Sequence, residues 1–371
     1  MSIKNRIIIA STLKPVDDIR SYRKIGDSLG KTNNYDVKII GYGPKGIAGN
    51  HNVDFIPMGT FRRISLKRVL LPFYILKIII KQKPDLLIIQ THELIIAALC
   101  WKLLFPGCRL IYDIRENYYL NIMSQSIFPR LVRPLLAGWI RLKELVAARF
   151  INCYFIAEKG YLQEMDYLVK HDYLVLENKS VIRDFKKEKR TATIRKFAFT
   201  GNLSSNSGVL KAIDLFQSIQ QVNPEVSLQI TGHTPDTNFM NKLNSIAAGS
   251  NNISVNSSIN PVDYESIVGT LRGADIGFVT YEVNESNINC IPTKVFEYLS
   301  IGLPFIAEKG TGWTTLGEAA GMVYAVDNTQ IDYEELSDWY NNLRFDYDKR
   351  SFMWNNEVPK LLLKVEEILL E

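Results

Sequence analysis

The chain has 371 residues, 46% of them hydrophobic and 22% charged, a length for two domains and a composition that excludes a disordered chain, a collagen-like fibre and a coiled coil. Cys100, Cys108, Cys153 and Cys290 form no Cys-x-x-Cys pair and sit beside no histidine cluster, which excludes a disulfide scaffold and argues against a structural zinc site. The net charge of +5 hides an asymmetry: residues 1–190 hold 32 Lys and Arg against 17 Asp and Glu, and residues 191–371 hold 12 against 22. A half at +15 and a half at −10 suit different partners. For the basic half these are nucleic acid, an anionic membrane surface or a phosphorylated substrate.

In chain order, Met1 to Arg6 is basic, but only Ile7 to Ala10 follow as an apolar core. That is too short for an export signal and reads as a first buried strand. Arg6–Ala10, Val37–Gly41, Leu86–Gln90, Arg109–Asp113 and Cys153–Ala157 lack polar alternation, as parallel strands covered on both faces do. Helical patterns fall between them over Asp18–Gly30, Leu66–Lys81 and Glu93–Leu104. The longest apolar runs, Val69 to Ile80 and Leu86 to Phe105, are broken by Lys77 and by His92, Glu93 and Lys102. Neither supplies the ~20 clean apolar residues of a membrane span, so a cytoplasmic protein is expected.

The pattern then restarts. Strands are expected at Lys196–Thr200, Val226–Ile230, Ile253–Val255, Ile276–Thr280, Pro304–Ala307 and Met322–Ala325, with helices at Val209–Gln220, Thr237–Ala248, Pro261–Arg272 and Lys294–Ile301. Two β-α-β series predict an α/β protein of two facing, Rossmann-like, doubly wound parallel-sheet domains. The expected boundaries are an amino-terminal domain over 1–183, a charged linker over 184–194, a carboxyl-terminal domain over 195–350 and a last helix within 351–371 that packs back on the first domain. Ligands of such sheets bind at the strands' carboxyl ends, which directs attention to the residues after each strand.

After Ile276–Thr280 comes Asn289-Cys-Ile-Pro-Thr-Lys-Val-Phe-Glu-Tyr-Leu-Ser-Ile-Gly-Leu-Pro-Phe305. Pro292 fits a helix start, with Thr293 free to cap and Lys294 and Glu297 on one face. A helix N-terminus supports anions; Lys294 adds a charge suited to a diphosphate, and Glu297 an acceptor suited to a ribose diol. An ordinary amphipathic helix with an i,i+3 salt bridge is the plainer alternative. The turn Thr200-Gly-Asn-Leu-Ser-Ser-Asn-Ser-Gly208 is small enough to admit a phosphate at Gly201 and Asn202. It is neither a P-loop nor a Gly-x-Gly-x-x-Gly fingerprint. In the first half, Lys14, Asp18 and Arg20 follow one strand, His92 and Glu93 another, and Asp113, Arg115 and Glu116 a third. These charges suit a polar acceptor or structural ion pairs. Asp346 and Asp348 match an Asp-x-Asp metal signature but stand far from any strand end, and read as chance.

Together these positions resemble the retaining glycosyltransferases of family 4, which have the two-Rossmann GT-B fold. The resemblance rests on Lys-Pro-x-x-Asp-x-Arg at 14–20, Lys-Pro-Asp-Leu-Leu-Ile-Ile from Lys83 with His92 after it, Tyr-Asp-x-x-Glu at 112–116, the Thr-Gly-Asn-Leu-Ser turn, and above all Pro-Thr-Lys-Val-Phe-Glu-Tyr-Leu-Ser-Ile-Gly-Leu-Pro. It implies a nucleotide-sugar donor in the second domain, held by Gly201, Asn202, Asn289, Thr293, Lys294 and Glu297. It implies an acceptor in the first, held by Lys14, Asp18, Arg20, His92 and Glu93, with catalysis carried by Lys294, Glu116 and Arg115. It implies neither a metal nor a cofactor. The chain departs from the family pattern in three places: Asn289 stands where the first Glu of Glu-x7-Glu is usual, Asn202 and small residues replace the basic residues of the glycine turn, and Arg115 replaces the His of Asp-x-His-Glu.

The expected activity is transfer from a UDP-sugar to a glycan or lipid-linked saccharide in surface polysaccharide biosynthesis. A sugar-nucleotide epimerase or hydrolase, or a non-catalytic partner subunit, are the alternatives. No interleaved basic–aromatic motif supports nucleic-acid binding. Two segments, 61–77 with Arg62, Arg63, Lys67 and Arg68, and 130–143 with Trp139, combine basic and bulky apolar residues. They suit peripheral contact with an anionic membrane, at the inner face of the plasma membrane.

Overall fold

The computed structural model describes residues 4–44, 46, 49–50, 52–59, 66–124, 128–182, 193–327 and 331–371. Most of the expected linker, 184–192, and the basic residues Arg62 and Arg63 lie outside them. The chain divides into two compact units, Met1–Asn178 with Trp354–Glu371, and Lys179–Met353.

Seven parallel strands build the first unit: β1 (Asn5–Pro15), β2 (Tyr35–Tyr42), β3 (Val53–Pro57), β4 (Leu86–Ile89), β5 (Arg109–Ile114), β6 (Cys153–Ile156) and β7 (Tyr173–Val175). Their order is β3-β2-β1-β4-β5-β6-β7, so the winding reverses between β1 and β4. The strands that read as unbroken apolar runs are the central ones, and β4 and β6 are buried along their whole lengths. The edge strands β3 and β7 were not expected. They are short and partly exposed, so they carry no long apolar run to betray them. The carboxyl-terminal helix Val358–Leu370 belongs to this unit, burying Leu361, Val365 and Ile368. Trp354 Nε1, just before it, donates to Ser28 Oγ at 3.0 Å.

The expected helix over 18–30 is π-helical from Ile19 to Gly26 and α-helical only from Asp27 to Gly30. Asp18 caps it, accepting from the backbone N–H groups of Arg20 and Ser21 at 3.1 and 3.0 Å. A wide turn of this kind marks a segment under local constraint, and here Arg20 and Lys24 are both buried within it.

The second unit has six strands, all pairing in parallel: β8 (Lys196–Asn202), β9 (Ser227–His233), β10 (Ile253–Ser258), β11 (Ile276–Val279), β12 (Phe305–Glu308) and β13 (Val323–Val326). The order is β10-β9-β8-β11-β12-β13, with the reversal between β8 and β11. Its core gathers Phe197 and Phe199 of β8, Phe278 of β11 and the inner face of the helix Val209–Val222.

At the reversal, the turn after β8 meets the end of β11 backbone to backbone. Thr280 Oγ1 donates to the Gly208 carbonyl at 2.8 Å. Gly208 has φ +75, and a Cβ there would fall 1.5 Å from the Thr280 carbonyl oxygen. Gly321 has a similar φ of +64 but open space around it. Alanine at 321 is therefore expected to cost about 1 kcal/mol, through backbone strain alone. Alanine at 208 must also push two strand ends apart, at about 3 kcal/mol or more. Urea unfolding of the two variants checks this difference.

Candidate functional site

In the second unit the helix Thr293–Ile301 is buried from Lys294 onward, and Gly302 ends it in a left-handed C-cap. Pro292 occupies the N-cap and no side chain caps the helix; the capping role expected of Thr293 is not used, so the first turn keeps its N–H groups without a side-chain acceptor. Lys294 is 6% exposed. Its Nζ lies 4.1 Å from the ring centroid of Phe199 on β8 and 4.8 Å from that of Tyr281, two residues beyond β11. Among the described residues it has no hydrogen-bond partner. The cation thus stands against the two strands that flank the switch point.

Two aromatic faces attract an ammonium but do not replace its hydration. Burial accordingly lowers the Lys294 pKa to about 7, with Glu297 working in the opposite direction. The Lys294–Glu297 salt bridge of the plainer alternative does not form. The Glu297 carboxylate accepts instead from Tyr264 Oη at 2.9 Å. Beside Tyr281 stands Trp313, ring centroids 5.9 Å apart, fully buried and with its indole N–H unpartnered among the described residues. Two buried donors without acceptors flank one tyrosine, an arrangement suited to anionic oxygens.

The other expected donor residues lie nearby in the chain but differ in setting. Asn202 is exposed at the end of β8, beside Gly201, which has φ +105 and open space where a Cβ would be. Asn289 is exposed, and its backbone packs against Gly312 at the start of the helix carrying Trp313. Asp348 caps the short turn Lys349–Phe352 by accepting from the Arg350 N–H at 3.0 Å, a structural use of the Asp-x-Asp pair.

In the first unit the charged residues after β1, β4 and β5 form one network at the same end of the sheet. Arg115 makes a two-pronged pair with Asp18, at 2.7 and 3.1 Å. Burial works against the Asp18 carboxylate, but Arg115 and Lys14 outweigh it and hold its pKa well below the usual range. Lys14 Nζ reaches Glu116 at 3.3 Å. Glu93 accepts from Thr12 and from Arg68. The Lys143 ammonium donates to His92 Nδ1 at 3.1 Å. Burial and the Lys143 charge lower the His92 pKa to about 4, so the imidazole is neutral at pH 7. The expected residues Lys14, Asp18, His92, Glu93, Arg115 and Glu116 are therefore brought together.

Arg20 is the exception. It is 1% exposed and faces a fully buried Asp113, donating through Nε and Nη2 at 3.0 and 2.6 Å. Its Nη1 donates to the Leu176 carbonyl and to Asn178. A guanidinium so occupied holds the sheet's interior rather than an acceptor. Gln90, which donates to Asp113 at 2.9 Å and accepts from Ser21 at 2.6 Å, completes this inner layer. Sequence reasoning passed over Gln90, Thr12 and Lys143 because nothing in their spacing sets them apart. Tyr281 was findable, since it follows a buried strand directly.

No family model matches the chain, and no curated protein matches it. Solved structures do. A sucrose-phosphate synthase from Thermosynechococcus elongatus aligns with a TM-score of 0.71 at 11% identity, covering 99% of this chain and 100% of that one. A glycosyltransferase from Rickettsia africae gives 0.65 at 13% identity, covering 99% of both chains. The catalytic domain of starch synthase IV from Arabidopsis thaliana, bound to ADP and acarbose, gives 0.62 at 11% identity over the whole of both chains. With two parallel α/β sheets of seven and six strands, the fold is that of the GT-B glycosyltransferases.

Two expectations about stability follow. Replacing Arg20 with methionine leaves Asp113 buried with Gln90 as its remaining described side-chain donor, and should cost about 3–5 kcal/mol in denaturant unfolding; unchanged stability would contradict the structural role. For Lys294 the sign runs through its lowered pKa. Between about 7 and the ordinary lysine value of about 10.4 the unfolded chain binds more protons, so folded stability rises with pH across that window. Lys294→Met removes this rise and is expected to be the more stable form at pH 6, as read from urea midpoints of both proteins at pH 6 and pH 9.

Proposed function

We propose that the chain is a glycosyltransferase that moves a sugar from a nucleoside diphosphate sugar, a UDP-sugar by preference, to a glycan or lipid-linked saccharide acceptor in surface polysaccharide biosynthesis. The observation that carries this reading is the buried Lys294 ammonium, without a hydrogen-bond partner among the described residues, at the start of an uncapped helix beside the second sheet's switch point. The fold likeness to glycosyltransferase structures supports it, as does the Pro-Thr-Lys-Val-Phe-Glu-Tyr-Leu-Ser-Ile-Gly-Leu-Pro string.

Transfer from such a donor requires positive potential on the departing diphosphate and an acceptor hydroxyl held in near-attack geometry. Lys294 and the first-turn N–H groups supply the first, with Gly201 leaving room for the phosphates. Glu297 accepts from the ribose diol, and Asn289, Thr293 and Asn202 complete the donor site. In the first unit Lys14, Asp18, His92 and Glu93 orient the acceptor, with Glu116 and Arg115 beside them. Arg115 acts through Asp18, to which it is bound. The stereochemical course is retention on one face, the leaving phosphate taking the acceptor's proton.

A panel of nucleotide-sugars screened for thermal stabilisation tests the reading first. Lys294→Ala is expected to lower turnover by about 10²–10³, the scale for losing one transition-state charge stabiliser. Glu297→Gln is expected to weaken nucleotide binding and leave the fold intact. Binding should also carry the signature of a lysine that takes up a proton. Above pH 7 wild-type affinity is expected to fall by up to about tenfold per pH unit, and Lys294→Ala to show no such slope. Wild-type turnover in Lys294→Ala, or stabilisation by none of the donors, would overturn the assignment.

A further inference from the structure

We propose that the outer face of three neighbouring helices in the first unit docks on a lipid bilayer bearing anionic headgroups. The helices are Leu66–Gln82, Ile95–Leu104 and Arg133–Ala147, and the middle one packs beside both others. Each buries one stripe against the sheet and turns a second apolar stripe outward. On Arg133–Ala147, Ala137, Ile140, Glu144 and Ala147 are buried, while Leu135, Trp139, Leu142 and Val146 recur on the other side at helical spacing. Leu135 is 75% exposed, Trp139 54% and Phe73 of the first helix 63%. Of the 26 large hydrophobics exposed among the described residues, 17 fall between Val69 and Val146. Scattered exposed apolar residues need no explanation, but a contiguous field of this kind marks an interaction surface.

Charge decides the occupant. The three helices carry eight Lys and Arg and a single carboxylate, Glu144. That carboxylate is buried, paired with Arg141 at 3.1 Å and accepting from Tyr112. Of the eight, Lys67, Lys77 and Lys81 are exposed, whereas Arg68 and Arg141 pair with Glu93 and Glu144 and Lys143 donates to His92. The outward face therefore presents bulky apolar groups and exposed lysines, with no exposed carboxylate on the three helices. A second copy of this chain seated on the same face would set basic residues against basic ones. A bilayer with anionic headgroups satisfies both features, taking the apolar side chains shallowly and the ammonium and guanidinium groups at the phosphates. Trp139 and Tyr74 suit that depth, and each has a lysine against its ring, Lys143 and Lys77. The middle helix, which the sequence did not single out, joins the two segments that it did.

Cosedimentation with phosphatidylcholine vesicles, alone and with one third phosphatidylglycerol, tests this with the full chain and no nucleotide, so its outcome is independent of the sugar-transfer reading. The expected result is binding to the anionic vesicles at least about tenfold above the neutral ones at low salt, lost near 0.5 M salt, where the screening length is only a few ångströms. Leu135→Ser with Trp139→Ser, and separately Lys77→Gln with Lys81→Gln, should each lower binding several-fold while melting temperature stays at the wild-type value, because all four residues face outward. Brominated acyl chains should quench the Trp139 emission. Equal recovery in the soluble fraction with both vesicle types, vesicle binding unchanged in both double variants, or a stable dimer that the Leu135/Trp139 variant dissociates would each overturn the proposal.

Discussion

The ammonium of Lys294 is buried against two aromatic rings, and the carboxyl end of the second sheet is arranged around it. Phe199 comes from β8 and Tyr281 from the residues just past β11, so the rings close on the cation only if the two strand ends keep their spacing. The Thr280–Gly208 contact sets that spacing. The helix that carries Lys294 is itself locked against β11, where the Tyr298 ring packs onto Gly277 so closely that a Cβ would fall 2.5 Å from it. Holding a cation there works against the fold, which is what the lowered pKa expresses. Such an arrangement makes physical sense when an anion arrives to restore the charge, as a diphosphate does.

The first unit solves the opposite problem. Its charged residues at the carboxyl ends of β1, β4 and β5 are paired, with one another or with Arg68 and Lys143 of flanking helices, and they lie in two layers. The inner layer, Arg20 with Asp113 and Gln90, is fully buried. The outer layer, Asp18 with Arg115, Lys14 with Glu116 and Lys143 with His92, is only partly buried. A ligand bound there would meet polar groups whose orientations are already fixed by their partners, so ordering them on binding would cost little. The basic excess of the amino-terminal half is spread well beyond this network, onto helices whose outward faces carry no exposed carboxylate.

Much of this was legible in the sequence, for identifiable reasons. The central strands are buried on both faces, so they appear as unbroken apolar runs, and the alternation of strand and helix dictates parallel order. Edge strands β3 and β7 escaped because a strand with one open side needs no such run. The π-helical turn over Ile19–Gly26 has no spacing signal; its Asp18 cap is local, but the pairing of its Arg20 with Asp113 is tertiary. Lys294 stood out by its place after a strand, but spacing alone left a salt bridge with Glu297 open as the plainer alternative. The structure gives Glu297 to Tyr264 and leaves the lysine with two rings. Arg20 illustrates the converse: a charged residue beside a strand end looks the same in sequence whether its side chain turns outward or in.

A buried Lys294 whose charge a bound diphosphate completes should reveal itself in its own titration. Carbon-13 labelling of the lysine side chains, with the Cε shifts followed against pH by NMR, measures this directly. One lysine is expected to titrate near pH 7 in the wild type and none there in Lys294→Met, and adding a nucleoside diphosphate sugar should move that titration up toward the ordinary value of about 10.4. A full set of lysines titrating in the ordinary range, or a low-titrating lysine indifferent to every nucleotide-sugar, would contradict it.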